Sequence, residues 1–531
     1  MAIKISGSTI IDDSRQLLNV GVSTFSGNIV PENDSSTDIG TNSVRFANIY
    51  ADTLYGSGAN LTNLPGFSPD SQQNLYAGTG AGTSSDADTC YNIALGCNAG
   101  YALNAGDKNI FLGLEAGRNT TTGSNNIFLG CESGKYNTDG DNNIFLGHKT
   151  GYCNSESCNV AIGFYAAACR DSAGGIFIGK YAGYGCVGAT GTNNVAIGND
   201  AGRCLTTAGH SIFLGQNSGK NTTTGSYNIF LGCHAGLCNT TLGCNFAAGM
   251  NAGKCRNGST NIFIGKYAGM GCNGATGLRN IALGENAGLS GSSGNNGIYI
   301  GYDAGKNTTS GSYNIFFGRY AGCGVTNCST NVFVGDQAGR CSDGELNIYL
   351  GSEAGKGTST ISNNTGSNNI AIGCQAGQCI DDGNYNIAIG NGAASLGVLE
   401  GNSNIFLGLD AGKNVTNTIA GIYIGGAAGS CRGSGSHNVA IGCQALLGGS
   451  TVSSNTGGCN IVLGLCAGNS TTSGQQNTFI NNSAGKGNTT GSDNVFIGHN
   501  AGCTNTTAGC SIIIGKVRVL VVLLMLLLMF S

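Results

Sequence analysis

KNTTTGSYNIFLGCHAG, residues 220–236, recurs almost word for word along this chain. At 118–134 it reads RNTTTGSNNIFLGCESG, and at 306–322 KNTTSGSYNIFFGRYAG. The constant centre is N-Φ-x-Φ-G, with Φ an aliphatic residue. Units of this form, strong and weak, number 26 between Gly78 and Gly515; dividing those 437 residues by 25 intervals gives 17.5. A fixed short period marks a solenoid, a propeller or an array. A propeller blade needs roughly 40 residues and a leucine-rich repeat more apolar positions. One clear strand among Gly/Asn/Thr turns fits one coil of a parallel β-solenoid, or β-roll. The expected fold is therefore all-β: about 26 coils of ~17 residues, each about 4.8 Å above the last, a rod of roughly 120 Å.

A longer period overlies the short one. The five units ending at Gly130, Gly147, Gly163, Gly179 and Gly198 match those ending at Gly215, Gly232, Gly249, Gly265 and Gly284, at an offset of 85 or 86 residues. Coils that touch only their neighbours make such block duplication easy.

Composition narrows the class. The 531 residues include 94 Gly but only 3 Pro, with no triplet period, which excludes collagen. Net charge is −4 and no basic run occurs, so the footprint of a nucleic-acid binder is missing. Ile, Leu, Val and Phe return on schedule, which argues against disorder. The opening MAIKISGSTIIDDSRQ has no long apolar core and so argues against a secretory leader. Residues 516–531 break the pattern. Their uncharged run Val519–Phe530 is 12 residues long, short of the roughly 18–20 that span a bilayer. It reads as a buried plug, a membrane-associated tail or a non-native ending, with the last preferred and no membrane span expected.

Successive strand residues point to opposite faces. We place Ile229 and Leu231 inside the coil and the middle residue outside. The middle column runs through Phe111, Phe128, Phe145, Phe177, Phe213, Phe230, Phe263, Phe316, Phe333 and Phe406, with Ala or Tyr at most other coils. A lone solvated rod would alternate apolar and polar. An outward aromatic stripe of this length exceeds what a soluble monomer exposes. Either a wide, flattened coil buries both faces itself, or the column lies along the axis of a parallel homo-oligomer, most simply a homotrimer. The second reading is preferred. Gly113, Gly130, Gly147, Gly215, Gly232 and Gly318 close strands and suit tight corners, where Gly accepts φ > 0. The Asn before each strand suits a stacked ladder.

Little in the chain points to catalysis, and we expect no enzyme and no cofactor. The five His stand on turns without a fixed acid partner, and Asp139, Asp171, Glu285 and Asp410 show no pairing by spacing. All 24 Cys lie between Cys90 and Cys510, many of them six residues after a strand Gly. Small buried thiols are the first reading. Disulfides formed after release into an oxidising medium are the second. Metal ligation is last, because the C-x₂-C spacing of zinc sites is missing.

NVAIGNDAG at 194–202 and NIAIGCQAG at 369–377 resemble the head repeats of trimeric autotransporter adhesins, a parallel β-roll in a three-fold bundle. That family's repeat is shorter and usually has Ala where this chain has Phe. Three phrases near the start, IDDSRQLLNVGVSTFSGNI, STDIGTNSVRFANIYADTLYG and GSGANLTNLPG, resemble modules of tail fibres and fibre-like virion proteins of marine T4-like phages. The second resemblance implies a virion appendage assembled in a host cytoplasm. Its partners would be other tail or baseplate proteins and a host-surface receptor, glycan or protein.

The expected organisation is an attachment or shaft module at 1–66, a linker with the first weak coil at 67–90, the solenoid at 91–515 and an atypical hydrophobic tail at 516–531. The expected function is that of a structural, adhesive fibre presenting a host-binding surface. A bacterial cell-surface adhesin is the alternative, and a polysaccharide-degrading solenoid a distant third.

Overall fold

The computed structural model describes residues 69–185, 188–272, 274–357 and 364–516, together with the backbone of two short strands near the start. Expectations for residues 12–68 and for the tail 517–531 fall outside the described residues. The chain divides into two compact units, Met1–Asn63 and Leu64–Ser531. In the first, Ile3–Ile5 (β1) pairs antiparallel with Ser8–Ile11 (β2).

The second unit is the parallel β-solenoid. It carries 26 strands of three residues each, from Leu75–Ala77 (β3) to Ile512–Ile514 (β28), one per coil. Each pairs in parallel and in register with the strand of the next coil, so Ile212, Phe213 and Leu214 lie beside Ile229, Phe230 and Leu231. Among the described residues the ladder runs from β3, paired with Ile93–Leu95, to β28, paired with Val495–Ile497. The turns are stacked as well. Gly134 N–H donates to the Thr150 carbonyl at 2.9 Å, and Thr121 N–H to that of Thr138 at 2.8 Å. The interval from Gly442 to Gly464, 22 residues, accommodates its extra length in a 3₁₀ turn at Val452–Ser454.

The direction of the strand faces corrects the sequence reading. Phe111, Phe128, Phe145, Phe177, Phe213, Phe230, Phe263, Phe316, Phe333 and Phe406 are all at most 3% exposed within a single chain. They form the interior, and the flanking Ile and Leu face outward, half-buried. The rings stack coil upon coil: Phe128 on Phe145 at 4.9 Å between centroids, and Phe333 on Tyr349 at 4.8 Å. That separation is close to the strand spacing itself. Alternation fixes which residues share a face, not which face is inside. The tie is broken by the Asn two residues before each ring, which lies on the ring's side of the strand.

That Asn is buried at nearly every coil and forms the expected ladder. Asn126 Oδ1 accepts the backbone N–H of Asn143 at 2.9 Å, and its Nδ2 donates to the Gly140 carbonyl at 2.8 Å. Most of these side chains thus satisfy one donor and one acceptor of buried backbone, with Asn143 an exception whose Nδ2 finds no partner.

A second interior column lies seven residues past the strand Gly. Most coils with Phe in the middle carry small or polar residues there, such as Thr120, Asn137, Thr222, Asn239 and Ser342, and two carry Val325 and Val415. Five coils with Ala carry long ones, Leu103, Arg170, Leu205, Arg256 and Ile380, whereas those of Ala282, Ala388 and Ala440 have Gly291, Gly397 and Gly449. The two columns trade volume, which holds the coil near native packing density. Where the Ala282 coil has only Gly291 at this position, Arg256 reaches across and donates to the Gly291 carbonyl at 3.4 Å. Arg432 follows Tyr423 and extends past the Ala440 coil to the Thr471 carbonyl at 3.0 Å.

Candidate binding surface

With the interior taken up by repeated packing, anything specific to individual coils must project outward. Three outward columns do so. The first is the outer side of the strands, where Ile262, Ile264, Ile315 and Phe317 are 40, 44, 39 and 52% exposed. It is apolar at almost every coil. In the last described strand Ile512 and Ile514 reach 73%.

The second column stands two residues before the strand. Tyr91, Tyr227, Tyr313 and Tyr385 occupy it with φ between +59° and +61°, and all four are exposed. Lys108, Asn125, His210, Arg279 and His437 hold the same place in other coils, also with positive φ. A left-handed backbone costs a non-Gly residue roughly 1–2 kcal/mol. The coil's stacking imposes it at each turn and throws the side chain clear of the surface.

The third column is the corner after the strand Gly. Gly113, Gly130, Gly147, Gly215, Gly232 and Gly318 have φ between +125° and +139°. A Cβ on Gly232 would lie 2.7 Å from the Gly249 carbonyl oxygen of the next coil, so the corner strongly favours Gly, with Asn481 taking the place at φ +96° in one coil. Two residues on, the chain turns outward with a varied set: Glu115, Glu132, Lys149, Tyr165, Tyr181 and Asp200 line successive coils. Lys135 bridges Glu115 at 2.5 Å and Glu132 at 3.3 Å, which holds the Glu115 carboxyl below its ordinary range and raises the lysine. Beside them rings gather. Tyr136 meets Tyr152 edge-on at 5.0 Å, Phe164 meets Tyr165 at 4.7 Å, and the Arg203 guanidinium lies 5.0 Å over Tyr181. Burial pushes the Tyr152 hydroxyl up to about 12.

The four carboxylates singled out from sequence all have structural partners. Asp139 accepts from the Thr138 hydroxyl, and Asp171 from that of Ser155. Glu285 pairs with Lys266 at 3.2 Å, and Asp410 with Lys413 at 3.2 Å. His148 stacks on Phe164 and His210 on Tyr227. Among the described residues no group of three or more His, Cys, Asp or Glu is placed to hold a metal, and no helix is long and apolar enough to cross a membrane.

A recess of about 380 Å³ opens on the outer sheet, lined by Tyr227, Ile229, Cys244, Asn245, Phe246, Thr260, Asn261 and Ile262. It flanks the NFAAG coil, where Phe246 takes the first outward place and the small Ala248 the other.

Sequence reasoning missed the buried arginines. Arg170 is fully buried, its guanidinium 5.1 Å over the Phe177 ring, with Nε donating to Ser172 Oγ at 2.8 Å and Nη2 to the Gly191 carbonyl. No carboxylate faces it, and burial lowers its pKa to about 10. The signal was available: Arg stands where other Ala-centred coils have Leu or Ile.

No family model matches the chain, and no curated protein matches it.

Proposed function

We propose that this chain is a structural and adhesive fibre component of a virion appendage, assembled in a host cytoplasm as a homotrimer, joined to other tail or baseplate proteins and presenting a host-binding surface. The observation that carries the reading is the contrast between columns. Asn and ring/Ala positions repeat coil after coil in the interior, while the two turn columns change at almost every coil and project outward from strained backbone. A uniform rod with varied edges suits many weak contacts to a host glycan or protein, summed by avidity. The trimer now rests on a different face from the one expected. The outer Ile/Leu columns form a half-exposed apolar strip that continues from coil to coil, the kind of face sister copies would cover. The resemblance of the first 66 residues to phage fibre modules supports the virion setting.

Binding of the labelled full chain to a panel of marine bacterial strains tests this. Saturable binding to susceptible strains is expected. The triple variant Tyr227→Ser, Tyr313→Ser, Tyr385→Ser should weaken it about tenfold, as loss of several linked contacts does, with an unchanged far-UV spectrum. Non-saturable retention on every strain, or full affinity in the triple variant, would contradict the reading.

A further inference from the structure

The cysteines offer a modification chemistry that the fibre reading does not use. Cys238 and Cys255 sit at the same corner of adjacent coils, each six residues past its strand Gly, with their Sγ atoms 2.8 Å apart. One block earlier Cys153 and Cys169 hold the equivalent places, again six residues past the strand Gly of adjacent coils and near enough to act on one another's titration. The two pairs are related by the block offset: 85 residues separate Cys153 from Cys238, and 86 separate Cys169 from Cys255. All four are partly exposed, so a small oxidant can reach them. Stacked coils hold equivalent Cα atoms about 4.8 Å apart, inside the roughly 4.4–6.8 Å window for a disulfide.

We propose that Cys153–Cys169 and Cys238–Cys255 close as two coil-to-coil disulfides when the chain meets a small-molecule disulfide such as oxidised glutathione. One cysteine thiolate attacks the glutathione disulfide. Its S–S bond breaks, one glutathione leaves with the electron pair, and a mixed disulfide forms. The thiolate of the adjacent coil then attacks the protein sulfur of that mixed disulfide and expels the second glutathione. Both protons lost by the protein thiols end on glutathione, which has taken up the two electrons. Each link adds a second covalent tie, at the corner, between successive coils that the backbone, hydrogen bonds and packing already join, and so opposes their separation.

The pairing differs from the neighbours along the chain. Cys153 and Cys158, or Cys238 and Cys244, are closer in sequence, but Cys158 and Cys244 are exposed and stand in the outward column before the strand. Burial, with the neighbouring thiol, raises Cys153 and Cys255 to about 11. Their thiolate fraction, and with it the rate of closure, therefore climbs as pH rises from neutrality towards that value.

The test incubates the folded full chain with oxidised glutathione, alkylates the remaining thiols and maps cross-linked peptides by tandem mass spectrometry. The expected result is the two named links within single chains, their loss when oxidation is carried out in denaturant, and disappearance of the 238–255 link alone in Cys238→Ser. Complete alkylation of the four cysteines after oxidation overturns the proposal. So do links that join sequence neighbours such as Cys238 and Cys244, or links between chains in place of those within one.

Discussion

At the residue scale the decisive pair is the ring and the residue seven past the strand Gly. Phe230 is buried between Phe213 and the smaller Ala247, with Asn239 filling the rest of its coil. Phe230→Ala should cost about 3–5 kcal/mol, the usual range for an aromatic lost from a core. Adding Asn239→Leu reproduces the pairing of Ala196 with Leu205 and should recover part of that loss, read as a rise in denaturation midpoint over the single variant. If the double variant is no better, the two columns do not share volume. Arg170 gives the complementary test. Its buried charge has no carboxylate partner, so Arg170→Met should match or exceed the parent, by up to about 4 kcal/mol, whereas Arg170→Ala leaves a cavity and falls below it. Equal losses in both would mean that the guanidinium itself is needed. This trade between columns was legible in the sequence, since Leu103, Arg170, Leu205, Arg256 and Ile380 all follow Ala-centred strands at one spacing. It passed unseen because attention to the strand alone treats the other side of the coil as turn.

At the scale of one element, the three-residue strand is too short to specify its own orientation. Period-two alternation made Ile229 and Leu231 partners on one face, and the sequence reading put that face inside. Phe230 is equally apolar, so hydrophobicity could not decide. Asn228 decides, because a buried amide ladder can run only where every coil supplies a carbonyl and an N–H at the same height. The ladder's contribution is measurable. Asn126→Ala leaves the buried N–H of Asn143 and the Gly140 carbonyl without their partners, and should cost about 1–3 kcal/mol. A change within about 0.5 kcal/mol, the range of ordinary surface substitutions, would show that the ladder is incidental. The period, the corner glycines and the Asn column were plain in the sequence because each obeys a constraint repeated at nearly every coil. The varied turn columns were not, because stacking constrains their backbone but leaves the outward side chain free to vary.

At the scale of the whole molecule, the solenoid should behave as a stack of nearest-neighbour units. Removing one duplicated block, residues 131–215, joins Gly130 directly to Gln216 and preserves the coil register, because Gly130 and Gly215 are equivalent strand ends. The shortened chain should keep the far-UV spectrum and cooperative unfolding of the parent. Collapse to an unfolded or aggregated product would mean that contacts beyond adjacent coils hold the unit together. What remains outside each chain is the apolar strip of Ile and Leu, and its fate decides whether this is a single rod or a fibre of several. The mass of the full chain in solution by multi-angle light scattering is the most direct measure. About three times the 53.3 kDa of one chain is expected, whereas a mass of 53.3 kDa would contradict the fibre and leave the strip bare to water.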